Sequence, residues 1–334
     1  MPLLQRFKHI NLKISTLTLI FIVLTLTTVL WSLSFHDPAS PYFLLLKVAS
    51  LPKKPCACKR CISELGLSPW FDERFNQSLS PLMTKNNSVL PEDVYRWWLR
   101  LQSEKKPADF NEVIKKLFEI VPGQDIYMDW GASRCRKCAV VGNSGNLKGS
   151  NYGAEIDLND FVLRMNHAPT IGYEKDVGSK TTHHFMYPES AKDLQNSTIL
   201  VLVPFKTLDL QWITSALTTG TIKQTYFRVL SRIKADKDKV QIYSPQFFKY
   251  VYDNWVENHG RYPSTGMLTL MFAIHICDEV NLYGFGADSN GDWHHYWENN
   301  RLAGAFRHTG VHDADFEYNV TMLLAENGKI NMFR

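Results

Sequence analysis

Two periods of hydrophobic residues alternate along the second half of the chain, one typical of strands and one typical of helices. Short apolar runs predict strands at residues 138–141, 161–165, 199–205, 240–243 and 280–283. Apolar residues at helical spacing predict helices at residues 207–219, 245–257 and 264–277. This alternation predicts a single-domain α/β fold, with a Rossmann-like, mostly parallel sheet and helices on both faces.

The N-terminal region has a different pattern. Residues 14–35 include no charged residue, and a helix of this length spans roughly 33 Å, enough to cross a bilayer core. Arg6, Lys8 and Lys13 precede this run and the first acidic residue is Asp37, which places the N-terminus in the cytoplasm. We therefore expect a cytoplasmic tail at 1–13, a transmembrane signal anchor at 14–35, a stem at 36–55 and a lumenal domain at 56–334.

A cleaved signal peptide is the alternative interpretation of the same segment. Its apolar region would span about 7–15 residues and would end in small residues at the cleavage site. The run here is longer and ends with Leu33-Ser34-Phe35-His36, which is a poor cleavage site. The sequence therefore favours an uncleaved anchor with type II topology, and the membrane is an expected partner.

The composition is that of a folded protein. Hydrophobic residues make up 45% of the chain and charged residues 21%, both near the averages for globular proteins. Lys and Arg number 37 against 33 Asp and Glu, so the net charge is only +4. Proteins that bind nucleic acid usually carry a concentrated basic face, so no nucleic-acid partner is expected.

All six cysteines follow the apolar run, and they are Cys56, Cys58, Cys61, Cys135, Cys138 and Cys277. An even number in an oxidising compartment predicts three disulfides. Two Cys-x-x-Cys pairs also match a four-thiolate zinc site, although such sites belong mostly to reducing compartments. Glycosylation acceptor triplets agree with a lumenal domain, and we expect some of them to be unused; they begin at Asn76, Asn86, Asn196 and Asn319.

One loop follows a predicted strand with two glycines three residues apart. The sequence Gly142-Asn143-Ser144-Gly145 comes directly after the strand at 138–141. Such a loop can turn tightly and present backbone amides to a phosphate at a helix N-terminus. A plain turn between a strand and a helix is an equally good interpretation, because neither a Walker A nor a dinucleotide-binding pattern is present.

The C-terminal third is rich in histidine and acidic residues. His294, His295 and His312 are candidates for acid–base chemistry, because histidine titrates near neutral pH. Asp313 and Asp315 imitate a metal-binding Asp-x-Asp motif, but they also fall at the start of a predicted helix at 313–326. Acidic residues are common in a first helical turn, so we favour that interpretation. His183-His184 lies in an apparent strand, and we expect one of the two to point into the core.

Four segments together resemble the conserved motifs of animal sialyltransferases. Residues 138–147 with 160–166 are similar to the large motif, and residues 261–266 with 277–286 to the small motif. Residues 294–298 are similar to the third motif, and His312 with Glu317 to the very small one. Residues 70–76 and 95–101 resemble the members that form alpha-2,3 linkages on Galβ1,3GalNAc, the core 1 O-glycan.

The resemblance implies a GT-A-like sialyltransferase variant of the fold, with CMP-sialic acid as donor and no metal cofactor. Asn143, Asn166, Ser144 and Gly145 would contact the nucleotide, and Ser264, Thr265 and Gly266 would complete the CMP pocket. His295 would bind the donor phosphate as a cation, and a neutral His312 would be the catalytic base. The remaining residues would line the donor sugar and the acceptor: Tyr187, Ser190, Gln102, Tyr226 and Tyr262.

The resemblance also implies the covalent structure and the location. Cys138 would pair with Cys277 and Cys135 with Cys58, which leaves Cys56 with Cys61. The enzyme would be a type II Golgi membrane protein that acts on glycoproteins, with glycolipids as alternative carriers, and cleavage of the stem would release a soluble form. Two rival functions remain at this point: the same donor chemistry on another galactoside, and a non-catalytic module that binds glycans or nucleotides.

Overall fold

The computed structural model describes residues 3–36, 54–127, 129–287, 294–299 and 310–334. The chain divides into two compact units, Met1–Lys53 and Lys54–Arg334. In the described part of the first unit, helix α1 spans Leu3–His36. Its stretch Thr16–Leu33 is long and apolar enough to cross a membrane, and its side chains are exposed. The expected stem at 36–55 lies almost entirely outside the described residues.

The second unit is built on one mixed sheet, which has eight strands in the described part of the chain. The strands are β1 (Leu82–Met83), β2 (Lys137–Val141), β3 (Phe161–Met165), β4 (His183–Met186), β5 (Ile199–Leu202), β6 (Val240–Tyr243), β7 (Glu279–Tyr283) and β8 (Asn331–Phe333). Their order is β1-β6-β5-β4-β3-β2-β7-β8, and only β1 is antiparallel to its neighbour. The direction of the chain across the sheet therefore reverses beside β2, where open α/β sheets bind their ligands.

Helices cover both faces of this sheet. They are α2 (Pro69–Asp72), α3 (Glu92–Trp98), α4 (Phe110–Ile120), α5 (Gly153–Asp157), α6 (Glu174–Val177), α7 (Thr207–Ala216), α8 (Pro245–Tyr250), α9 (Thr265–Ile276) and α10 (Ala314–Glu326). Strand β2 shows the two layers most simply, because successive side chains of a strand point to opposite faces. Cys138 and Val140 lie in the larger apolar core, whereas Ala139 and Val141 lie in a smaller core with α5 and α6. The predicted fold class is confirmed.

Several predicted boundaries shift by a few residues. The strand expected at 199–205 ends at Leu202, and the helix expected at 207–219 ends at Ala216. The helix expected at 245–257 is interrupted: α8 continues into one π-helical segment, Val251–Trp255. Helix α9 matches its prediction, with Ser264 as the capping residue before it and Cys277 after it.

His183 and His184 lie in strand β4, as expected, but the structure buries both side chains and not only one. Both side chains are buried, because β4 lies in the middle of a parallel sheet that is covered on both faces. The Tyr127 hydroxyl lies 2.7 Å from His183 Nε2, and His184 Nε2 donates to the Asn166 carbonyl at 2.6 Å. Both imidazoles are therefore satisfied core residues, and burial lowers the pKa of each to about 3.

Three disulfides join the six cysteines. They are Cys56–Cys61, Cys58–Cys135 and Cys138–Cys277, the pairs that the family resemblance implies. The third links the beginning of β2 to the residue that ends α9, so it ties the central strand to the helix packed against it. Because every cysteine is in a disulfide, no thiolate is left for the alternative zinc site.

Candidate active site

A cavity of about 450 Å³ opens at the carboxyl ends of the central parallel strands. Residues that follow β2, β3, β4, β5 and β7 line one side of it: Gly142, Asn143, Ser144, Asn166, Tyr187, Phe205, Gly284, Phe285 and Gly286. The beginnings of α9 and α10 line the other side, together with Gln102 and the segment Tyr226-Phe227. Parallel strands end at one edge of a sheet, so residues far apart in sequence meet here.

Two glycines allow the floor of this cavity to form. Gly142 follows β2 and Gly284 follows β7, and a Cβ on Gly142 would lie 2.2 Å from the Gly284 carbonyl oxygen. Gly284 also has a φ of 69°, in the left-handed region that favours glycine. The two loops therefore pack closely at Gly142, and a side chain at Gly284 would collide with Leu147, whose Cδ1 would lie 2.3 Å from the added Cβ.

The loop after β2 is not a phosphate cradle of free amides, so that interpretation is wrong. Five of its six amides are already donated: Gly142 N to Tyr283 O, Ser144 N to Gly284 O, Gly145 N to His294 O, Leu147 N to Ser144 O and Asn146 N to Ser144 Oγ. The loop leads into a three-residue 3₁₀ turn, Gly145–Leu147, instead of an α-helix. Gly142, Asn143 and Ser144 of this loop line the cavity.

The beginning of α9 is the better anion site in this cavity. Ser264 caps the helix, because its Oγ accepts from Met267 N at 3.1 Å. The first amides of an α-helix have no partner within the helix, and the helix dipole favours negative charge there. Thr265 and Gly266, which carry such amides, both line the cavity. The arrangement suits a phosphate group.

Two asparagines present hydrogen-bond acceptors. Asn143 Nδ2 donates to the Met165 carbonyl at 3.3 Å, which turns its Oδ1 away from that carbonyl. Asn143 Oδ1 and Asn166 Oδ1 are buried and have no hydrogen-bond partner among the described residues. Asn166 adopts a φ of 58°, directly after β3. Unsatisfied buried acceptors are costly, so these oxygens suit a ligand that brings amino or hydroxyl donors.

His312 is held in a defined orientation at the start of α10. Its Nδ1 lies 2.8 Å from the Tyr262 carbonyl oxygen, and a carbonyl can only accept, so Nδ1 carries the proton. Nε2 is then the basic nitrogen of the neutral ring. Burial lowers the pKa of His312, and the Tyr262 carbonyl acts in the opposite direction. The ring is therefore neutral at neutral pH, as a general base must be.

His295 has different surroundings. The segment 294–299 rests on the loop after β2, through Gly145 N to His294 O at 2.7 Å and Tyr296 N to Asn143 O at 3.1 Å. The His295 ring stacks on Trp297 with centroids 4.4 Å apart and planes 8° from parallel. Its Nδ1 lies 2.9 Å from Glu298 Oε1. A carboxylate in this position compensates the charge of a doubly protonated ring.

The residues predicted for the acceptor side also line the cavity, and they are Gln102, Tyr226 and Tyr262. Tyr262 packs against Phe205 and against the His312 ring, with centroids 5.1 Å from each. Burial raises the pKa of the Tyr262 phenol, and its hydrogen bond with Gln102 acts in the opposite direction. Tyr187 lines the same cavity and contacts Phe205 edge to face.

Two of the predicted residues do not line the cavity. Gly145 lies behind Ser144, where its amide holds the segment of His294. Ser190 is buried, and its Oγ donates to Tyr187 O and accepts from Tyr187 N, so it shapes the turn that carries Tyr187. Gly145 and Ser190 therefore hydrogen-bond to the backbone of two residues that do line the cavity, His294 and Tyr187.

The sequence reasoning missed two acidic residues that line the cavity, Glu189 and Glu317. Glu317 accepts from Ser264 N at 2.7 Å and from Ser264 Oγ, and burial raises its pKa to about 7. The spacing of His312 and Glu317 within one motif was a signal for Glu317. No signal in the sequence singles out Glu189, whose neighbours lie far away along the chain.

Asp313 and Asp315 stand outside the residues that line the cavity. Asp313 Oδ1 accepts from Phe316 N at 3.0 Å and so caps α10, and Asp313 Oδ2 lies 3.0 Å from His259 Nδ1. The capping hydrogen bond and the His259 contact lower the pKa of Asp313. Asp315 is exposed in the first turn. This geometry agrees with the interpretation of both residues as the start of a helix.

The asparagines of the four glycosylation triplets are exposed. Asn76, Asn86, Asn196 and Asn319 all lie on the surface of the second unit. Asn319 lies on α10, whereas the other three are outside the helices and strands. Exposure is the condition that an acceptor asparagine must meet, so the four sites remain a prediction.

Comparison with known proteins assigns the family. The model of glycosyltransferase family 29 (sialyltransferase) matches residues 82–329. The chain belongs to glycosyltransferase family 29. The match includes all of the predicted lining residues and both histidines, so this cavity is the candidate active site of a sialyltransferase.

Relatives at high identity are named for a specific activity. The CMP-N-acetylneuraminate-beta-galactosamide-alpha-2,3-sialyltransferase 1 of Gallus gallus is 62% identical over 289 residues, which are 86% of this chain and 84% of that protein. The enzyme with the same name from Homo sapiens is 55% identical over 333 residues, 97% of each chain. The family 29 chain is therefore similar to alpha-2,3-sialyltransferases over nearly its whole length.

Solved structures agree with this assignment. A mammalian sialyltransferase has a TM-score of 0.79 with 58% identity, covering 84% of this chain and 98% of that chain. A mammalian sialyltransferase in complex with Gal-beta-1-3GalNAc-ortho-nitrophenol has a TM-score of 0.78 with 57% identity, covering 84% and 99% of the two chains. The sheet and its covering helices are thus those of a family 29 sialyltransferase.

Proposed function

We propose that this sialyltransferase transfers sialic acid from CMP-sialic acid to the 3-hydroxyl of galactose in Galβ1,3GalNAc, with inversion and without a metal ion. The observation that carries the proposal is one cavity that holds a neutral His312, a carboxylate-paired His295 and the beginning of α9. The acceptor is supported by the names of the relatives and by the disaccharide in the similar complex.

The donor would lie over the ends of β2 and β3. Asn143 Oδ1 and Asn166 Oδ1 would accept from the amino group of cytosine or from the ribose hydroxyls, because both oxygens are buried without a partner. The phosphate would lie between His295 and the amides of Thr265 and Gly266. CMP leaves as a monophosphate, so a protonated imidazole and a helix N-terminus can stabilise its developing charge.

The acceptor galactose would approach from the side of Gln102, Tyr226 and Tyr262. His312 Nε2 would take the proton of the 3-hydroxyl as the oxygen attacks the anomeric carbon of sialic acid. The new carbon–oxygen bond forms while the bond to the CMP phosphate breaks, and CMP leaves with the bonding electrons. A single in-line displacement converts the beta linkage of the donor into an alpha linkage.

The same proposal includes topology and location. The N-terminal helix, with its uncharged stretch after Arg6, Lys8 and Lys13, would anchor the chain in the Golgi membrane with type II topology. Residues 1–13 would be cytoplasmic, 14–35 would span the membrane, 36–55 would form the stem and 56–334 the lumenal domain. Three disulfides in that domain support an oxidising lumen.

The test is a transfer assay with the full chain in detergent, CMP-sialic acid and Galβ1,3GalNAc. We expect CMP release that depends on the acceptor, and a product whose alpha-2,3 linkage is read by NMR. N-acetyllactosamine and a glycolipid that ends in Galβ1,3GalNAc are the comparison acceptors. Transfer to N-acetyllactosamine alone would contradict the proposed acceptor. Tight CMP binding without any transfer would favour the non-catalytic binding module.

A further inference from the structure

A buried lysine lies beneath the acceptor side of the cavity. Lys206 is only 3% exposed and precedes α7, and its Nζ lies 2.9 Å from the equally buried Asp209 Oδ1. The same Nζ donates to Gln102 Oε1 at 2.6 Å and lies 4.0 Å from Glu189 Oε1. Burying a lysine is expensive unless its charge is paired, so the Asp209 contact explains why Lys206 tolerates this place.

The contact between Lys206 and Gln102 fixes the orientation of an amide. An ammonium group has donors only, so the Gln102 atom that it contacts must be the carbonyl oxygen. The amino group of Gln102 then points away from Lys206, and Gln102 and Tyr262 both line the cavity, where Gln102 acts to lower the pKa of the Tyr262 phenol. Without Lys206 the amide could turn over and present its oxygen to the cavity instead.

The surrounding chain holds Lys206 against Gln102. Trp98 Nε1 donates to the Pro204 carbonyl at 2.8 Å, and the Thr207 hydroxyl donates to Glu104 at 2.7 Å. Asp209 Oδ2 accepts from Phe205 N at 2.8 Å, which holds the carboxylate that pairs with Lys206. Trp98 at the end of α3 and Glu104 after it thus bind residues on either side of Lys206 in the chain.

Glu189 connects Lys206 to the residues at the opening of the cavity. Its Oε1 accepts from Tyr226 N at 2.9 Å and from the Thr225 hydroxyl. Tyr226 lines the cavity and is 58% exposed, so this carboxylate fixes the backbone of an aromatic residue that faces the opening. None of these contacts reaches Asn143, Asn166 or the beginning of α9.

We propose that Lys206, neutralised by Asp209, is a positioning residue for acceptor recognition: it fixes the amide of Gln102 so that its donor face points into the acceptor side of the cavity. This inference rests on the proposed transfer to a galactoside. Lys206 itself is buried and is not among the residues that line the cavity. If Gln102 must present its amino group to the acceptor, loss of Lys206 should weaken acceptor binding. Binding of the donor nucleotide should be unaffected.

The experiment measures acceptor KM, donor KM and CMP affinity for full-length variants in detergent. Lys206→Met keeps the unbranched chain without its terminal ammonium group, and we expect acceptor KM to rise about tenfold, the effect of one lost hydrogen bond. CMP affinity by calorimetry should stay within about twofold. Lys329→Met is the matched control, because Lys329 is 4% exposed, donates to Ile62 O and Glu64 O, and does not line this cavity.

Two double variants separate positioning from folding. Lys206→Met/Asp209→Asn removes both buried charges, so it should regain stability while acceptor KM stays high. If this double variant also recovers acceptor KM, Lys206 only neutralises Asp209 and the inference fails. In the double variant Gln102→Ala/Lys206→Met, acceptor KM should rise by much less than the product of the fold-increases in the two single variants. If the fold-increase in the double variant equals that product, Lys206 acts independently of Gln102 and the inference is overturned.

The wild-type chain distinguishes this inference from the proposed function. If it transfers no sialic acid to Galβ1,3GalNAc, the proposed function fails and acceptor KM has no meaning. If it is active and Lys206→Met keeps the wild-type acceptor KM, only the inference fails. An equal rise of acceptor KM in Lys329→Met would likewise reject it, because a buried lysine that does not line the cavity would have the same effect.

Discussion

His312 and His295 line the same cavity, but their surroundings differ in nearly every respect. His312 Nδ1 donates to a backbone carbonyl that carries no net charge, and its ring lies against Tyr262. His295 Nδ1 lies beside the carboxylate of Glu298, and its side chain is 33% exposed. A carbonyl fixes the tautomer of a neutral imidazole, whereas a carboxylate also compensates the charge of its cation.

The difference shows how histidine can serve as a base in one position and as a phosphate ligand in another. A base must be unprotonated before it takes the hydroxyl proton, and a phosphate ligand is most effective when it carries positive charge. Burial gives His312 the first property, since desolvation disfavours the charged ring. The assignment of base and phosphate ligand thus rests on the burial and tautomer of His312 and on the carboxylate that lies beside His295.

The largest effect is expected at His312. His312→Ala removes the proton acceptor and should reduce transfer by about 10²–10⁴-fold. CMP affinity should change by no more than a few-fold, because the residues proposed for the nucleotide lie elsewhere. Turnover and CMP calorimetry of the same purified variant check both statements. A folded variant with normal turnover would reject the role, and a large loss of CMP affinity would move His312 to the donor side.

A smaller effect is expected at His295. His295→Ala should reduce kcat/KM for the donor by about 10²-fold, similar to the loss of one donor to a developing anion. CMP affinity should fall as well, in contrast to His312→Ala. Steady-state kinetics over a range of CMP-sialic acid concentrations checks this. An unchanged response to the donor would show that the amides of α9 are sufficient, or that His294 is the contact.

The pH dependence of transfer sharpens the comparison further. Because burial lowers the pKa of His312, the base remains neutral down to a pH below the usual histidine value of about 6.5. Below the lowered pKa, protonation removes the base, so kcat should fall about tenfold per pH unit. A pH–rate profile with saturating donor measures this acid limb. A limb that begins above pH 7 would contradict the effect of burial.

The smallest effect is expected next to His312. Asp313→Asn keeps a capping side chain but removes the charge that faces the helix dipole and His259, so it should cost about 0.3–1 kcal/mol of stability. Transfer should be unchanged, and excess EDTA should not inhibit it. Chemical denaturation and a transfer assay with EDTA check these points. A loss in EDTA that Mg²⁺ or Mn²⁺ reverses would favour an Asp-x-Asp metal site.

The sequence predicts the central part of the fold better than its edges. Strands β2, β3 and β6 are short apolar runs, and the order of strands and helices is enough to indicate a parallel sheet. Strand β1 has two residues and β8 has three, which are too few to show a period. The burial of both His183 and His184 could not be predicted, because alternation of faces does not indicate exposure when both faces of a sheet are covered.

The candidate site follows the same pattern. Residues inside contiguous motifs, such as Asn143 and His312, could be predicted because each motif surrounds them with recognisable neighbours. Lys206 and Gln102 are separated by 104 positions, and only the folded chain brings their side chains together. The hydrogen bonds of the Gly142, Ser144 and Gly145 amides could not be predicted either, because their acceptors are the distant carbonyls of Tyr283, Gly284 and His294.

The most direct test of the division between the two histidines is an NMR titration of the imidazole nitrogens, in the full chain with and without CMP. Single His→Gln variants assign the signals. We expect His312 to keep the signals of a neutral ring protonated at Nδ1 at pH 6.5, with or without CMP, while CMP changes the signals of His295. A doubly protonated His312 at that pH, or a CMP response confined to His312, would contradict this account.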